Sequence, residues 1–94
     1  MKDDIGSIVL ATAGRDQEAL FFVVGMRDGR LLLADGKRRK VGHPKAKQPK
    51  HVCFEQSAWQ HPAADKLKQG QPVSDRELRR ALAAFKEGIT LGER

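Results

Sequence analysis

Short runs of apolar residues separated by turn residues dominate the first half of the chain, and this pattern predicts β-strands. The first three runs are rich in β-branched and aromatic residues, whereas two later candidates are weaker. In chain order, the predicted strands are residues 7–11 (SIVLA), 19–26 (ALFFVVGM), 30–35 (RLLLAD), 38–41 and 51–54.

Glycine-containing turns separate these predicted strands. Asp28-Gly29 lies between the second and third runs, and Asp-Gly in that setting indicates a tight hairpin because the turn needs positive φ angles. Asp35-Gly36 turns the chain again. Residues 42–50 (GHPKAKQPK) contain two prolines and no periodicity, which indicates a loop or an extended arm.

The second predicted strand carries adjacent phenylalanines whose side chains must point to opposite faces. Leu20, Phe22 and Val24 would share one face, and Phe21 and Val23 the other. Phe21 and Phe22 therefore cannot both point into one core, and we expect one of them to lie under a helix.

The last third of the chain changes to a helical pattern. Ser74 and Glu77 form a capping-box sequence, and Gly88 is a plausible helix end. A shorter helix is expected at 63–68. The apolar stripe of the longer helix consists of Leu78, Ala81, Leu82 and Phe85, and the opposite face carries Arg76, Arg79, Arg80 and Lys86.

These elements predict a single domain that is mainly β with α. Four or five short strands with little apolar mass suit a small barrel, which also removes exposed sheet edges. We expect the barrel in residues 1–55, with a basic arm at 37–51, and a helical extension packed on it in residues 56–94.

Composition limits the binding partners and the cellular compartment that we expect for this domain. The 94 residues include 39% hydrophobic and 32% charged ones, with a net charge of +6 and a sequence pI near 9.9. Such a charge favours contact with nucleic acid or another anionic surface. The single cysteine, the absence of a long apolar run and the acidic N-terminus predict a cytoplasmic protein without disulfides or a membrane span.

The positive charge is concentrated in one part of the sequence, which we call the basic segment, Lys37–Lys50. It contains no acidic residue, and its +7 exceeds the net charge of the whole chain. Several cations within reach of neighbouring phosphates are what RNA or DNA binding requires, although a solvated loop would have the same composition. The cations are Lys37, Arg38, Arg39, Lys40, Lys45, Lys47 and Lys50.

The opening hairpin combines glycines, β-branched residues and a polar loop in a recognisable order: Gly6, Ile8, Val9, Ala11, Gly14-Arg15-Asp16 and Phe22-Val23-Val24-Gly25. This pattern resembles the KOW motif, in particular that of small bacterial stand-alone KOW-domain proteins, which are similar to KOW-type large-subunit ribosomal proteins of archaea and eukaryotes. The resemblance continues through Ala34–His51 and, more loosely, through Ser74–Leu82, so it covers most of the chain. It implies an SH3-like β-barrel that binds RNA without catalysis, often in a ribosomal setting.

Within that resemblance, Gly14 takes the position of the central glycine, where the chain turns without a Cβ. Arg15 would either face RNA beside the basic arm or pair with Asp16 or Glu18. Many family members have a second glycine where this chain has Glu18, so the loop departs from the family pattern.

The sequence gives little support for a metal site, a cofactor or catalysis. The donor atoms of His43, His51, Cys53 and His61 match no zinc spacing, so we predict no metal and no cofactor. Cys53 is expected to be a small buried core residue. Trp59 could stack on a base but is expected to close a core. With no convincing nucleophile, phosphate-cradling loop or carboxylate pair, we predict neither an enzyme nor a small-molecule substrate.

The sequence therefore predicts a non-catalytic RNA-binding protein that contacts ribosomal or other structured RNA in translation or ribosome assembly, with the ribosome itself as a candidate partner. The expected RNA-binding residues are the seven cations of the basic segment, together with Arg15. The alternative is a small-barrel module that binds an acidic protein partner.

Overall fold

The computed structural model describes residues 4–14, 19–56 and 61–92, and within them five strands are followed by two helices. The strands are β1 (Ile8–Ala11), β2 (Leu20–Arg27), β3 (Arg30–Ala34), β4 (Lys45–Lys47) and β5 (Val52–Gln56). The helices are α1 (Pro62–Lys68) and α2 (Asp75–Gly92). A short 3₁₀ helix at Pro49–His51 connects β4 to β5.

The five strands form one antiparallel sheet in the order β4-β3-β2-β1-β5. The chain runs as a meander from β1 to β4 and then crosses to place β5 beside β1. The predicted class, mainly β with α, is confirmed. Within the described ranges β4 and β5 are not paired with each other, so the sheet is open.

Both faces of this sheet are buried, as the alternation along β2 predicts. Phe22 packs with residues of both helices in a cluster that we call the helix-covered cluster. Phe21 and Val23 belong to a second cluster on the other face, the inner cluster. The expectation that one of the two phenylalanines lies beneath a helix is therefore confirmed for Phe22.

The inner cluster is built from strand residues alone: Val9, Ala11, Phe21, Val23, Leu31 and Leu33. Among the described residues no helix residue takes part in it, and we infer that the sheet bends so that its own strands cover this face. Two irregularities assist the bending, one between Val23 and Gly25 on β2 and one opposite Ile8 and Val9 where β1 meets β5.

The predicted hairpin and capping box are both present. Asp28 and Gly29 have φ angles of 50° and 77°, as a tight two-residue turn requires. At the start of α2, Ser74 N donates to Glu77 Oε1 at 3.2 Å and Glu77 N donates to Ser74 Oγ at 3.1 Å. The predicted end at Gly88 is wrong, because α2 continues to Gly92; a glycine inside a helix costs only about 1 kcal/mol.

The fourth strand lies later in the chain than predicted. Residues 38–41 are not a strand, because Asp35 Oδ1 accepts hydrogen bonds from the backbone N–H groups of Lys37 and Arg39, both at 2.9 Å. A side-chain acceptor of this kind holds the backbone in a turn and occupies donors that a strand would use. The strand forms instead at Lys45–Lys47, inside the region expected to be a loop.

The turn that follows β3 approaches α2 very closely at Gly36. Gly36 is buried and has a φ of 79°, and a Cβ built on it would collide with the backbone carbonyl of Asp75. Gly29 has a similar φ of 77° but nothing within 4 Å of its Cβ position. The two glycines share the same conformational requirement and differ only in their surroundings.

Replacing each glycine by alanine separates these two effects. We expect Gly29→Ala to lower the free energy of unfolding by about 1 kcal/mol, the cost of a left-handed alanine. Gly36→Ala should cost about 3 kcal/mol or more, because the start of α2 must also move. Urea denaturation followed by circular dichroism measures both. Equal losses in the two variants would show that the contact with α2 adjusts freely.

The capping box also makes stability depend on pH. Lys66 Nζ donates to Glu77 Oε2 at 2.7 Å, and this bond, with the Ser74 N–H bond, lowers the pKa of Glu77 below its ordinary value. A lowered pKa means that the stabilisation is present above the ordinary value of 4.5 and is lost as the pH falls through the folded value.

Glu77→Gln tests this dependence, since the amide oxygen keeps an acceptor for the Ser74 N–H but loses the charge. Urea denaturation of both proteins should show the wild type more stable at neutral pH, with the difference vanishing in acid. A difference that is independent of pH would assign the effect to packing rather than to the carboxylate.

Candidate nucleic-acid interface

The basic segment folds into two ordered parts. Its first part belongs to a turn of residues 35–41, which we call the docked turn because it lies against α2. Its second part contains β4 and enters the 3₁₀ helix. The expected extended arm is therefore replaced by structure over much of its length, because the chain supplies hydrogen-bond partners for it.

Asp35, Asp75 and Arg79 are among the side chains that hold the docked turn. Asp35 closes it from within, through the two backbone bonds described above. From α2, Asp75 Oδ1 accepts the Val41 N–H at 2.6 Å, and Arg79 Nη1 donates to the Gly36 carbonyl at 2.7 Å. These bonds fix the backbone that carries Lys37 and Arg38.

The docked turn forms one wall of a groove of about 450 Å³. Its floor includes the half-buried Leu10 and Leu20, whereas the charged side chains around it are mostly exposed. Among the described residues the lining is Leu10, Ala19, Leu20, Asp35, Lys37, Arg38, Glu55 and Lys86.

A second groove of about 190 Å³ adjoins the first and shares Leu20, Asp35, Lys37 and Lys86 with it. It extends along α2 and adds Arg79, Leu82 and Ala83. We call the two together the cationic groove. It brings Lys37, Arg38, Arg79 and Lys86 together with two carboxylates.

Arg79 and Lys86 were not among the predicted site residues, although helical periodicity places them opposite the apolar stripe. Nothing in the linear sequence shows that the docked turn lies beside that face of α2. The contact that brings them together joins residues 43 positions apart, Gly36 and Arg79. Such a pairing leaves no local sequence signal.

The predicted cations differ in their surroundings. Lys37, Arg38, Lys40 and Lys50 are exposed, and Arg39 and Lys45 are half-buried. Arg15 lies outside the described residues, as do Asp16, Glu18 and Trp59.

Lys47 is the exception among the predicted cations, because its side chain is only 8% exposed. It pairs with Leu31 on the inner face of the sheet, and its Nζ donates to the Ala13 carbonyl at 2.7 Å. A Cβ at Gly14, whose φ is 85°, would lie 3.3 Å from that Nζ. Lys47 thus ties β4 to the loop after β1, and Gly14 has a structural role there.

Cys53 is exposed, contrary to the expected core position. It lies on the edge strand β5, which contributes no residue to the helix-covered cluster. A hydrogen bond to Glu55, with some burial and the Glu55 charge, raises the pKa of the thiol above its ordinary value. A raised pKa keeps the thiol protonated at neutral pH and makes it a poor nucleophile.

The described residues contain no group of three or more His, Cys, Asp or Glu side chains placed to hold a metal ion. His61 instead serves the start of α1, where its Nδ1 accepts the Ala63 N–H at 3.1 Å. In the same ranges of the chain, neither helix combines the length and the apolar character needed to cross a membrane.

Comparison with known proteins adds no further assignment. A scan against protein-family models matches none of them, and a search of curated proteins finds no match. The resemblance to KOW-domain proteins therefore stays a prediction from the residues quoted above.

The role of Lys47 can be separated from that of a surface cation. Lys47→Met keeps the apolar stem but removes the bond to the Ala13 carbonyl, and we expect it to lower the free energy of unfolding by about 1–2 kcal/mol. Lys50→Met, at an exposed position, should change it by less than about 0.5 kcal/mol. Urea denaturation measures the free energy of unfolding of both variants. Equal losses would contradict the structural role of Lys47.

Proposed function

We propose that this protein is a non-catalytic, cytoplasmic RNA-binding protein built on an SH3-like β-barrel. Its targets would be structured RNA, with ribosomal RNA as the class that the KOW resemblance implies. The setting would be translation or ribosome assembly.

The arrangement of the strands supports the barrel. Five short antiparallel strands bury a strand-only inner cluster, and β5 crosses over to pair with β1. A curled sheet whose first strand has neighbours on both sides needs only its two edges to approach each other in order to become a barrel. The 3₁₀ helix already joins these edges through the chain.

The observation that carries the RNA proposal is the meeting of cations from two distant parts of the chain in one groove. Lys37 and Arg38 come from the docked turn, and Arg79 and Lys86 from α2. Phosphate binding depends on several cations that reach neighbouring phosphates. Lys40 and Lys50 add exposed positive charge in the same basic segment.

Contacts of this kind read charge and backbone shape rather than base sequence. Lys47 drops out of the proposed contact set because it is only 8% exposed and its ammonium is bonded to the Ala13 carbonyl, whereas Arg79 is exposed and has further guanidinium donors besides the one bonded to Gly36. The contact set consists of Lys37, Arg38, Arg39, Lys40, Lys45 and Lys50 from the basic segment, joined by Arg79 and Lys86, with Arg15 retained from the sequence.

A protein-interaction module is the second candidate, and the leucine floor of the groove favours it. An acidic peptide could place apolar side chains on Leu10 and Leu20 and carboxylates near the cations. Purified protein that carries no nucleic acid, shifts no RNA in a gel and binds an acidic peptide would support this candidate.

The RNA proposal is tested by the salt dependence of binding to an RNA hairpin, measured by filter binding. If about five phosphates are neutralised, the slope of log affinity against log salt should lie between about −3.5 and −4.5. Replacing Lys37, Arg38, Lys40 and Lys50 together by alanine should flatten this slope by about 3 units.

The matched control replaces Arg27, Arg30, Arg76 and Arg80 by alanine. These residues are exposed and lie outside both the basic segment and the cationic groove. Both variants remove four positive charges, so a general charge effect would change the two slopes equally. Equal slopes, or no hairpin binding by the wild type, would contradict the proposal.

A further inference from the structure

We propose that the cationic groove holds a single unpaired strand of RNA, with its phosphates along the cations and its bases over the leucine floor. This inference rests on the proposed RNA binding and adds which form of RNA the groove accepts.

The shape of the groove favours a strand over a duplex. Its larger part has about 450 Å³, within the range of about 300–1,000 Å³ that is typical of sites for small ligands. A base with its sugar is a ligand of that scale. Phosphates on the outside of a duplex would meet the rims, but the bases inside the duplex could not reach Leu10 and Leu20.

The charges favour a strand that passes through rather than one isolated phosphate. Arg38 lines only the larger part, Arg79 lines only the smaller part, and Lys37 and Lys86 line both. Asp35 lines both parts and Glu55 the larger part, so cations from the docked turn and from α2 outnumber carboxylates in each part of the groove. A strand in this path would have cations beside more than one of its phosphates.

The bases would contact the apolar floor of the cationic groove. The half-buried Leu10 and Leu20 offer apolar surface, whereas Leu82 is only 5% exposed, and none of the described lining residues is aromatic. Bases would be desolvated against leucine without specific stacking, so we expect little preference among base sequences. If about four phosphates are contacted, the salt slope for a strand should be near −2.8.

Two adjacent alanines on α2 provide the test. Ala83 lines the smaller part of the groove, whereas Ala84 lines neither part, and both are exposed. Ala83→Glu and Ala84→Glu make the same change of charge with a good helix former. Only Ala83→Glu places a carboxylate beside the phosphate path.

The probes are a short oligouridine strand and a blunt RNA duplex, with binding followed by fluorescence anisotropy. We expect the wild type to prefer the strand, Ala83→Glu to weaken strand binding about five- to tenfold, and Ala84→Glu to change it less than about twofold. Urea denaturation of both variants verifies that they are folded.

The outcomes separate this inference from the proposed function. Equal strand affinity in the two variants, or a wild type that prefers the duplex, would overturn the groove as a single-strand site while RNA binding stands. A wild type that binds neither probe nor the hairpin would overturn both.

Discussion

The contact between the docked turn and the first turns of α2 is the constraint on which the candidate site depends. Asp75 and Arg79 hold the backbone at Val41 and Gly36, and Gly36 leaves no room for a side chain. Because the contact joins the end of the sheet to a helix, it determines the distance between the two walls of the groove. Without it, Lys37 and Lys86 would have no reason to lie near each other.

The acidic residues at this contact accept hydrogen bonds from the backbone. Asp35, Asp75 and Glu77 each accept at least one backbone N–H, in the docked turn or at the start of α2. A carboxylate that is bonded to backbone donors stabilises the turn or helix end that it serves. Asp35 also lines the cationic groove, where it and Glu55 lie beside the four cations.

Features that depend on neighbours in sequence were predictable, and those that depend on distant contacts were not. The opposite facing of Phe21 and Phe22 follows from strand geometry, and the Ser74–Glu77 box follows from spacing. The fourth strand was misplaced because Asp35 captures backbone donors that propensity rules assign to a strand. The exposure of Cys53 depends on where the helices stop covering the sheet, which no local pattern encodes.

Lys47 shows why charge density in a sequence overstates a binding surface. Lys47 lies in β4 and pairs with Leu31 of β3, which directs its stem to the inner face of the sheet. Its ammonium is bonded to the Ala13 carbonyl. The run of cations thus contains one residue that the sheet requires, whereas α2 supplies two that the run does not contain. Phosphate binding depends on distances between cations in space. Packing, rather than the count of lysines and arginines, therefore selects which of them can act together.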